Sequence, residues 1–256
     1  MNEYSFPVEG TPKIFVRLPA GEVRLVDGPE GTVTVRLEGT ASTLDRFLVE
    51  ARGDEIVIEP SRTGKGRWTS VDVIVQSGTP AEVRARLASA DLLARIPLQS
   101  VHVETASGEV SIGDVAGSVL VRSASGDIRV GDVGGDLEVA SASGDVRAES
   151  TAGLSTLKTM SGDVVISDAG GEVTAKSVSG DVSIGRFHGS WFDGKTMSGD
   201  VTIGVVSGRR FEVSFQSLSG EVRTDFPVGQ GDGGSSRLTV KTVSGDITVQ
   251  GAPERS

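Results

Sequence analysis

The feature that most constrains this chain is an 18-residue repeat carrying the tetrapeptide Ser-Gly-Asp/Glu-Val/Ile. Its serine recurs at spacings of 18, 18, 18, 18, 19, 21 and 25 residues, and a diverged copy, Ser89-Ala90-Asp91-Leu92, comes one period earlier. The eight serines are Ser107, Ser125, Ser143, Ser161, Ser179, Ser198, Ser219 and Ser244. A unit this short cannot bury an apolar face alone, so the copies must stack on one another.

Within one unit, hydrophobicity alternates with a period of two. In residues 125–142, Ile128 and Val130 alternate with polar residues, and Leu137 and Val139 repeat the pattern. The alternation predicts two short strands per unit, each with one buried face. Identical residues recurring in register favour parallel stacking in a β-solenoid, with coils about 4.8 Å apart. A hairpin in each repeat, which would give an antiparallel meander, is the alternative that the turn lengths also permit.

The Gly and Asp of the signature are predicted to form the corners of the coils. Glycine supplies the positive φ of a tight corner, and an adjacent carboxylate can accept hydrogen bonds from local backbone amides. The predicted corner residues are Gly108, Gly126, Gly144, Gly162, Gly180, Gly199, Gly220 and Gly245, with Asp127, Asp145, Asp163 and Asp181. Stacked carboxylates repel one another, and we expect corner amides rather than a metal to offset this. A weak Ca²⁺ or Mg²⁺ ladder is the alternative.

The flanks of the repeats also look like β structure. Residues 1–86 lack the signature but contain strand-like segments such as Ile14–Leu18, and we interpret them as an N-terminal β cap continuous with the solenoid. The solenoid is predicted over residues 87–251, and residues 252–256 form a tail. The last repeat contains a Gly-rich insertion over residues 229–236, which is typical of a flexible loop. The predicted fold is therefore all-β: an elongated β-solenoid of about 18-residue coils, the period set by the repeat.

Composition excludes several classes of function. The net charge of −10 disfavours nucleic acid and anionic membrane surfaces as partners, and the absence of cysteine excludes disulfides and thiolate metal sites. No apolar run approaches the roughly 18 residues of a membrane-spanning helix. The N-terminus has no apolar signal segment, so we expect a cytoplasmic protein. No cofactor is predicted.

The repeated Thr/Ser-x-Ser-Gly-Asp-Val/Ile pattern resembles the bacterial putative-adhesin family of β-strand-repeat proteins of unknown function. The stretch Leu238–Val249 is similar to the closing repeat of that family, and the resemblance covers residues 85–250 well and the N-terminal part loosely. The resemblance implies a repeat architecture and offers no catalytic residues. The family name implies a role at the cell surface. This chain departs from that expectation, because its sequence shows no export signal.

Few residues suggest catalysis. His102 lies between apolar neighbours on a predicted strand and is expected to point to solvent, and His188 lies at a corner. The two histidines have no zinc-site spacing. Some β-helix proteins cleave polysaccharides with surface carboxylates, but here the repeat itself sets the aspartate positions. We therefore predict no catalytic residue and no metal ligand.

Two aromatic residues are predicted as possible contacts for a partner. Trp68 lies in a basic loop, and Phe192 falls on the outward parity of its unit, whereas Phe187 and Trp191 occupy core columns. The tripeptide Arg52-Gly53-Asp54 matches an adhesion motif, but a hairpin turn explains it.

The function expected from the sequence is that of a non-enzymatic scaffold or binding module presenting a repetitive surface to a protein partner. The alternatives are a surface adhesin and a polysaccharide-active β-helix enzyme. Terminal strands expose unpaired edges, but Pro253 and the charged tail follow the last strand, so we expect a monomer or small oligomer.

Overall fold

The protein is built almost entirely of β-strands. The computed structural model describes residues 1–61, 69–225 and 234–252, and in these residues the only helix is α1 (Ala41–Leu44). The chain forms two compact units, Met1–Arg129 and Val130–Ser256. In both units the repeats stack as parallel strands, so the predicted all-β solenoid class is confirmed.

The strands of the first unit are as follows: β1 (Asn2–Pro7), β2 (Lys13–Asp27), β3 (Thr32–Glu38), β4 (Phe47–Arg52), β5 (Glu55–Pro60), β6 (Val71–Ser77), β7 (Ala81–Ala94), β8 (Leu98–Ser107), β9 (Val110–Ile112) and β10 (Val119–Ser125). The next strand, β11 (Ile128–Val133), runs across the division between the units. The strands of the second unit are β12 (Leu137–Ser143), β13 (Val146–Thr151), β14 (Ser155–Ser161), β15 (Val164–Ala169), β16 (Val173–Lys176), β17 (Val182–Phe187), β18 (Trp191–Lys195), β19 (Val201–Val205), β20 (Arg210–Ser219), β21 (Val222–Thr224), β22 (Ser235–Ser244) and β23 (Ile247–Gly251).

Two stacks of parallel strands make up the second unit. Each repeat contributes one strand to each stack, and equivalent residues pair one coil apart, as Leu157 does with Val139 and Ala175. Parallel pairing in register excludes the antiparallel meander for these repeats. The inward-facing Val, Ile, Leu and Ala side chains are buried and form continuous apolar columns.

The coils of the second unit do not stack in sequence order. Strand β18 pairs with β22, and β22 pairs with β20 on its other side. In the other stack, β19 pairs with β23, and β23 pairs with β21. The last coil in the sequence therefore lies inside the stack, and the coil of β20 and β21 is outermost. The prediction that the final strand is the exposed edge is wrong, and Pro253 lies outside the described residues.

The first unit contains the same kind of rearrangement. The long strand β2 pairs in parallel with β7 on one side and with β5 and β6 on the other. Antiparallel strands then cover this end, because β3 pairs with β6 and β1, and β4 pairs with β5. These three antiparallel pairs of described strands lie in the region that the sequence assigned to the cap, residues 1–86.

The repeat pattern begins earlier than the sequence suggests. Gly21 and Glu22 pair in register with Ala90 and Asp91 of the diverged copy, and Gly21 has a φ of +126°. The run Ala20-Gly21-Glu22-Val23 is therefore a further degenerate copy of the signature. Strand β2 belongs to the stacked coils although it lies within the predicted cap, and the expected boundary at residue 86 falls inside β7.

Candidate binding surface

The signature glycines all adopt the backbone conformation that only glycine tolerates well. Their φ values lie between +110° and +153°. Space is also lacking, because a Cβ atom on Gly180 would lie 2.1 Å from the carbonyl oxygen of Gly162 in the neighbouring coil. The same contact recurs at Gly199, Gly245 and Gly220, at 2.2, 2.1 and 2.0 Å. Stacking therefore requires glycine at these corners both for its φ and for its lack of a side chain.

The signature carboxylates bond to the backbone of the next coil. We define the aspartate ladder as Asp145, Asp163, Asp181, Asp200 and Asp246, in stacking order. The Oδ1 atom of each accepts a hydrogen bond of 2.8–3.0 Å from the backbone N–H of the next acidic residue, and the series ends at Glu221. In the first unit, the N–H of Glu109 donates likewise to Asp91. Corner amides are thus partners of these carboxylates, and the described residues contain no group of three or more side chains arranged as a metal site.

The Ser or Thr two residues before each signature serine faces inward. Ser177, Thr196 and Thr242 are buried, and their hydroxyls donate to the carbonyls of Gly162, Gly180 and Gly199 at 3.3–3.4 Å. This column therefore stabilises the corners from inside the coil. Because side chains alternate along a strand, the residue between this column and the signature serine must point outward.

That outward position carries an exposed apolar row. We define the apolar ladder as Met160, Val178, Met197, Val243 and Leu218, in stacking order. Their exposed fractions range from 42% to 85%, and they account for five of the eight exposed large hydrophobic residues in the described part of the chain. The sequence shows this column to be apolar, but its exposure emerges only when the strand parity is known.

A basic row runs beside the apolar ladder on the same face. We define the lysine ladder as Lys158, Lys176, Lys195 and Lys241, which pair one coil apart on β14, β16, β18 and β22. Each lies two residues before a member of the apolar ladder. Lys195 binds the buried carboxylate of Asp193 at 2.7 Å, and the described residues provide no ion pair for the other three lysines.

The first unit has a groove at the equivalent columns. There the outward position is occupied by Pro19, Ala88, Ala106 and Ala124, and the basic column holds Arg17, Arg86 and Arg122, with Glu104 among them. These residues line an open groove of about 730 Å³, in which Arg86 pairs with Glu104 at 3.2 Å. Small side chains thus leave a groove in the first unit where the second unit carries a raised apolar row.

Of the two aromatic contact candidates, the structure describes only Phe192, and it is not part of this surface. Phe192 is fully buried, so its predicted exposure is wrong, and Trp191 is only half-buried. The extra residue of the 19-residue coil lies at the corner before β18, because Phe187 pairs with Ala169 at a separation of 18 residues and Phe192 pairs with Val173 at 19. The insertion reverses the strand parity, and Phe192 packs edge-to-face on Phe187 with ring centroids 5.9 Å apart. Trp68 lies outside the described residues.

The histidines lie on the outer surface. His102 Nε2 is 3.4 Å from Glu104 in the first unit. In the second unit, His188 Nε2 lies 3.2 Å from Asp168 Oδ1, and Arg186 lies 3.7 Å from the same carboxylate. These contacts join polar side chains at neighbouring positions of the repeat.

The adhesion-like tripeptide forms a hairpin turn between β4 and β5. Gly53 has a φ of +65°, and Asp54 binds the ammonium of Lys13. The hydrogen bond from Lys13 lowers the pKa of the Asp54 carboxyl group. The motif is therefore accounted for by the turn and by its ion pair.

Solved structures resemble this protein in fold. A putative adhesin from Bacteroides fragilis and another from Parabacteroides merdae each match with a TM-score of 0.51 and 14% identity, over 97% of this chain and 96% and 95% of theirs. A putative lipid binding protein from Parabacteroides distasonis matches with the same TM-score and identity, over 97% of this chain and 96% of its own. At this identity the similarity establishes the fold alone.

No curated protein matches the chain at a significant level. The described part of the chain contains no helix with the length and hydrophobicity of a membrane-spanning segment. The profile of the Toastrack DUF4097 family matches residues 12–250, which is nearly the whole chain and includes every copy of the repeat. The chain belongs to the Toastrack DUF4097 family.

Proposed function

We propose that this protein is a non-enzymatic binding module that uses the apolar ladder and the flanking lysine ladder to bind a protein partner. The observation that carries the proposal is the exposed apolar row on five stacked coils. The fold does not need it, because the buried columns already form the core. Contiguous exposed apolar surface is characteristic of interaction sites.

The arrangement of polar groups also supports binding over catalysis. The carboxylates of the aspartate ladder, which the repeat would otherwise offer as candidate acids, each accept an amide hydrogen bond from the next coil, in keeping with a structural role. The structural neighbours named as adhesins and as a lipid binding protein also favour a binding role. We keep the cytoplasmic location as part of the proposal, to be tested by cell fractionation.

The test uses a photo-cross-linking amino acid at Val178, with the same substitution at Leu154 as control. Leu154 is an apolar residue of the same unit with 45% exposure, but it lies outside the ladder. We expect cross-linking in cells of the source organism to join a protein to position 178 and not to position 154. That protein, once purified, should bind Met197→Thr about tenfold more weakly than the wild type and should bind Leu154→Thr normally.

Two results would contradict the proposal. One is equal cross-linking at the two positions, and the other is a partner whose affinity is insensitive to Met197→Thr. Hydrolysis of a polysaccharide by the purified protein would support the enzyme alternative instead.

A further inference from the structure

The face that carries the apolar ladder presents three rows of different chemistry. The lysine ladder runs on one side of the apolar ladder, and the aspartate ladder lies at the corner on its other side. All three rows follow the stacking direction, perpendicular to the strands. With coils about 4.8 Å apart, five apolar rungs extend over about 19 Å.

The spacing of the rungs discriminates between possible partners. Side chains on one face of an α-helix recur about every 5.4 Å, whereas those on one face of a β-strand recur about every 6.7 Å. The mismatch to the rungs is about 0.6 Å per step for a helix and about 1.9 Å for an extended chain. A helix can therefore place one apolar side chain against each rung, whereas an extended chain loses register after two rungs.

The charges on the two flanks specify the partner further. Among the described residues, Lys158, Lys176 and Lys241 have no ion pair, and neither do Asp163, Asp181 and Asp200. Lysine and apolar side chains two residues apart on a strand are separated by about 6.7 Å, which is within reach of a helix about 10 Å wide. The last four aspartates of the ladder each follow a member of the apolar ladder by three positions, at the corner on the other side. An anionic membrane suits the lysines but is repelled by the aspartates, and the protein carries a net charge of −10.

From these observations we infer that this face binds an amphipathic α-helix of a protein partner, about 14 residues long, lying along the stack. Its apolar stripe contacts the apolar ladder, acidic side chains on one flank face the lysine ladder, and basic side chains on the other flank face the aspartate ladder. This inference rests on the proposed binding function and adds the shape and charge pattern of the partner.

The experiment measures fluorescence anisotropy of synthetic 14-residue helical peptides titrated with the full chain. The test peptide has a leucine stripe with Glu on one flank and Lys on the other. A peptide with the Glu and Lys flanks exchanged is not a useful control. It can bind with its chain direction reversed, which again places Glu beside the lysine ladder and Lys beside the aspartate ladder. The controls therefore carry Lys on both flanks, Glu on both flanks, or Ser in place of the leucine stripe.

We expect the mixed-charge peptide to bind at least about tenfold more tightly than each control. Met197→Thr should weaken its binding, and Leu154→Thr should not. The triple variant Lys158→Glu, Lys176→Glu and Lys241→Glu should lose affinity for the mixed peptide and prefer the peptide with Lys on both flanks. All the substituted side chains point outward, so we expect each variant to fold. Thermal melts of each variant check this.

Three outcomes would overturn the inference. The first is that no peptide binds, although the affinity of the partner identified by cross-linking is still lowered by Met197→Thr. The proposed binding function would then be supported, but the partner would not be a helix. The second is equal affinity for the mixed peptide and the peptide with Lys on both flanks. The third is that vesicles of phosphatidylcholine and phosphatidylserine bind in a Met197-dependent manner and the peptides do not, which would assign the face to a lipid surface.

Discussion

At the scale of single residues, the signature tetrapeptide describes one corner of the coil. The glycine meets two requirements at once, since it has a positive φ and its Cα lies against a carbonyl of the neighbouring coil. These requirements are separable, because Gly208 has a φ of +86° but a Cβ atom added to it would meet nothing within 4 Å. The comparison of Gly180 with Gly208 therefore distinguishes backbone strain from steric exclusion.

We predict that Gly180→Ala destabilises the protein far more than Gly208→Ala. Gly208→Ala should cost about 1 kcal/mol from its left-handed φ. Gly180→Ala adds a clash with the carbonyl oxygen of Gly162 and should cost at least twice as much. Urea unfolding followed by circular dichroism measures both values. Equal losses would show that stacking at the corner tolerates a side chain.

Gly144 is a corner of the same kind, whereas Gly233, in the predicted loop, lies outside the described residues.

The aspartate ladder leads to a prediction about its chemistry. Asp181→Asn keeps an oxygen that can accept the hydrogen bond from the N–H of Asp200, so stability should change little. Asp181→Ala removes the acceptor and should cost about 1 kcal/mol, the net value of a typical hydrogen bond. Thermal melting of the two variants makes the comparison, and an equal loss in both would show that the charge matters more than the acceptor.

The same hydrogen bonds bear on the cation-ladder alternative. Because Oδ1 of each carboxylate accepts an amide, we predict that millimolar Ca²⁺ or a chelator leaves the Tm of the wild-type protein unchanged. A clear rise in Tm with Ca²⁺ that Asp145→Asn abolishes would instead establish ion binding along the ladder.

At the scale of elements, one inserted residue decides which face of β18 is buried. Side chains alternate with a period of two, so a single insertion before a strand exchanges its inner and outer faces. Here the insertion lies at a corner, where the chain can accommodate an extra residue without breaking the parallel register of Phe192 with Val173. Gly194, next to the Phe192 ring, leaves the space that the ring needs.

The burial of Phe192 is testable by truncation. Phe192→Ala should cost about 3–5 kcal/mol, as expected for a buried phenylalanine. Trp191→Ala, at the half-buried neighbouring position, should cost less than half as much. Urea unfolding of the two variants measures both losses of stability. A larger loss for Trp191→Ala would indicate that Trp191, and not Phe192, faces the core, as the sequence predicted.

At the scale of the whole molecule, the decisive feature is the order in which the coils of the second unit stack. Residues 225–234 separate β21 from β22 in the sequence, and the last coil lies between two earlier ones because β22 pairs with both β18 and β20. The lengthened spacings of the late repeats, which look like simple insertions in the sequence, accompany this reversal.

Hydrogen exchange resolved by peptide can test the stacking order. The outermost coil of a stack opens most easily, so amides of β20 and β21 should exchange faster than those of β22 and β23. Stacking in sequence order predicts the reverse, because β22 and β23 would then be terminal. Faster exchange in β22 and β23 would therefore contradict the arrangement described above.

The sequence by itself determined the coil: the 18-residue period, the glycine corners and the alternation of buried and exposed residues all follow from local pattern and steric rules. Only the tertiary structure decided which coil lies beside which, because the Ser-Gly-Asp corner is nearly identical in every copy and any two copies can stack in the same register. The parity of Phe192 also depended on where the extra residue was accommodated. The apolar column before each serine was visible as a pattern, but its exposure beside the lysine ladder depended on strand direction and neighbouring coils, which no single repeat encodes.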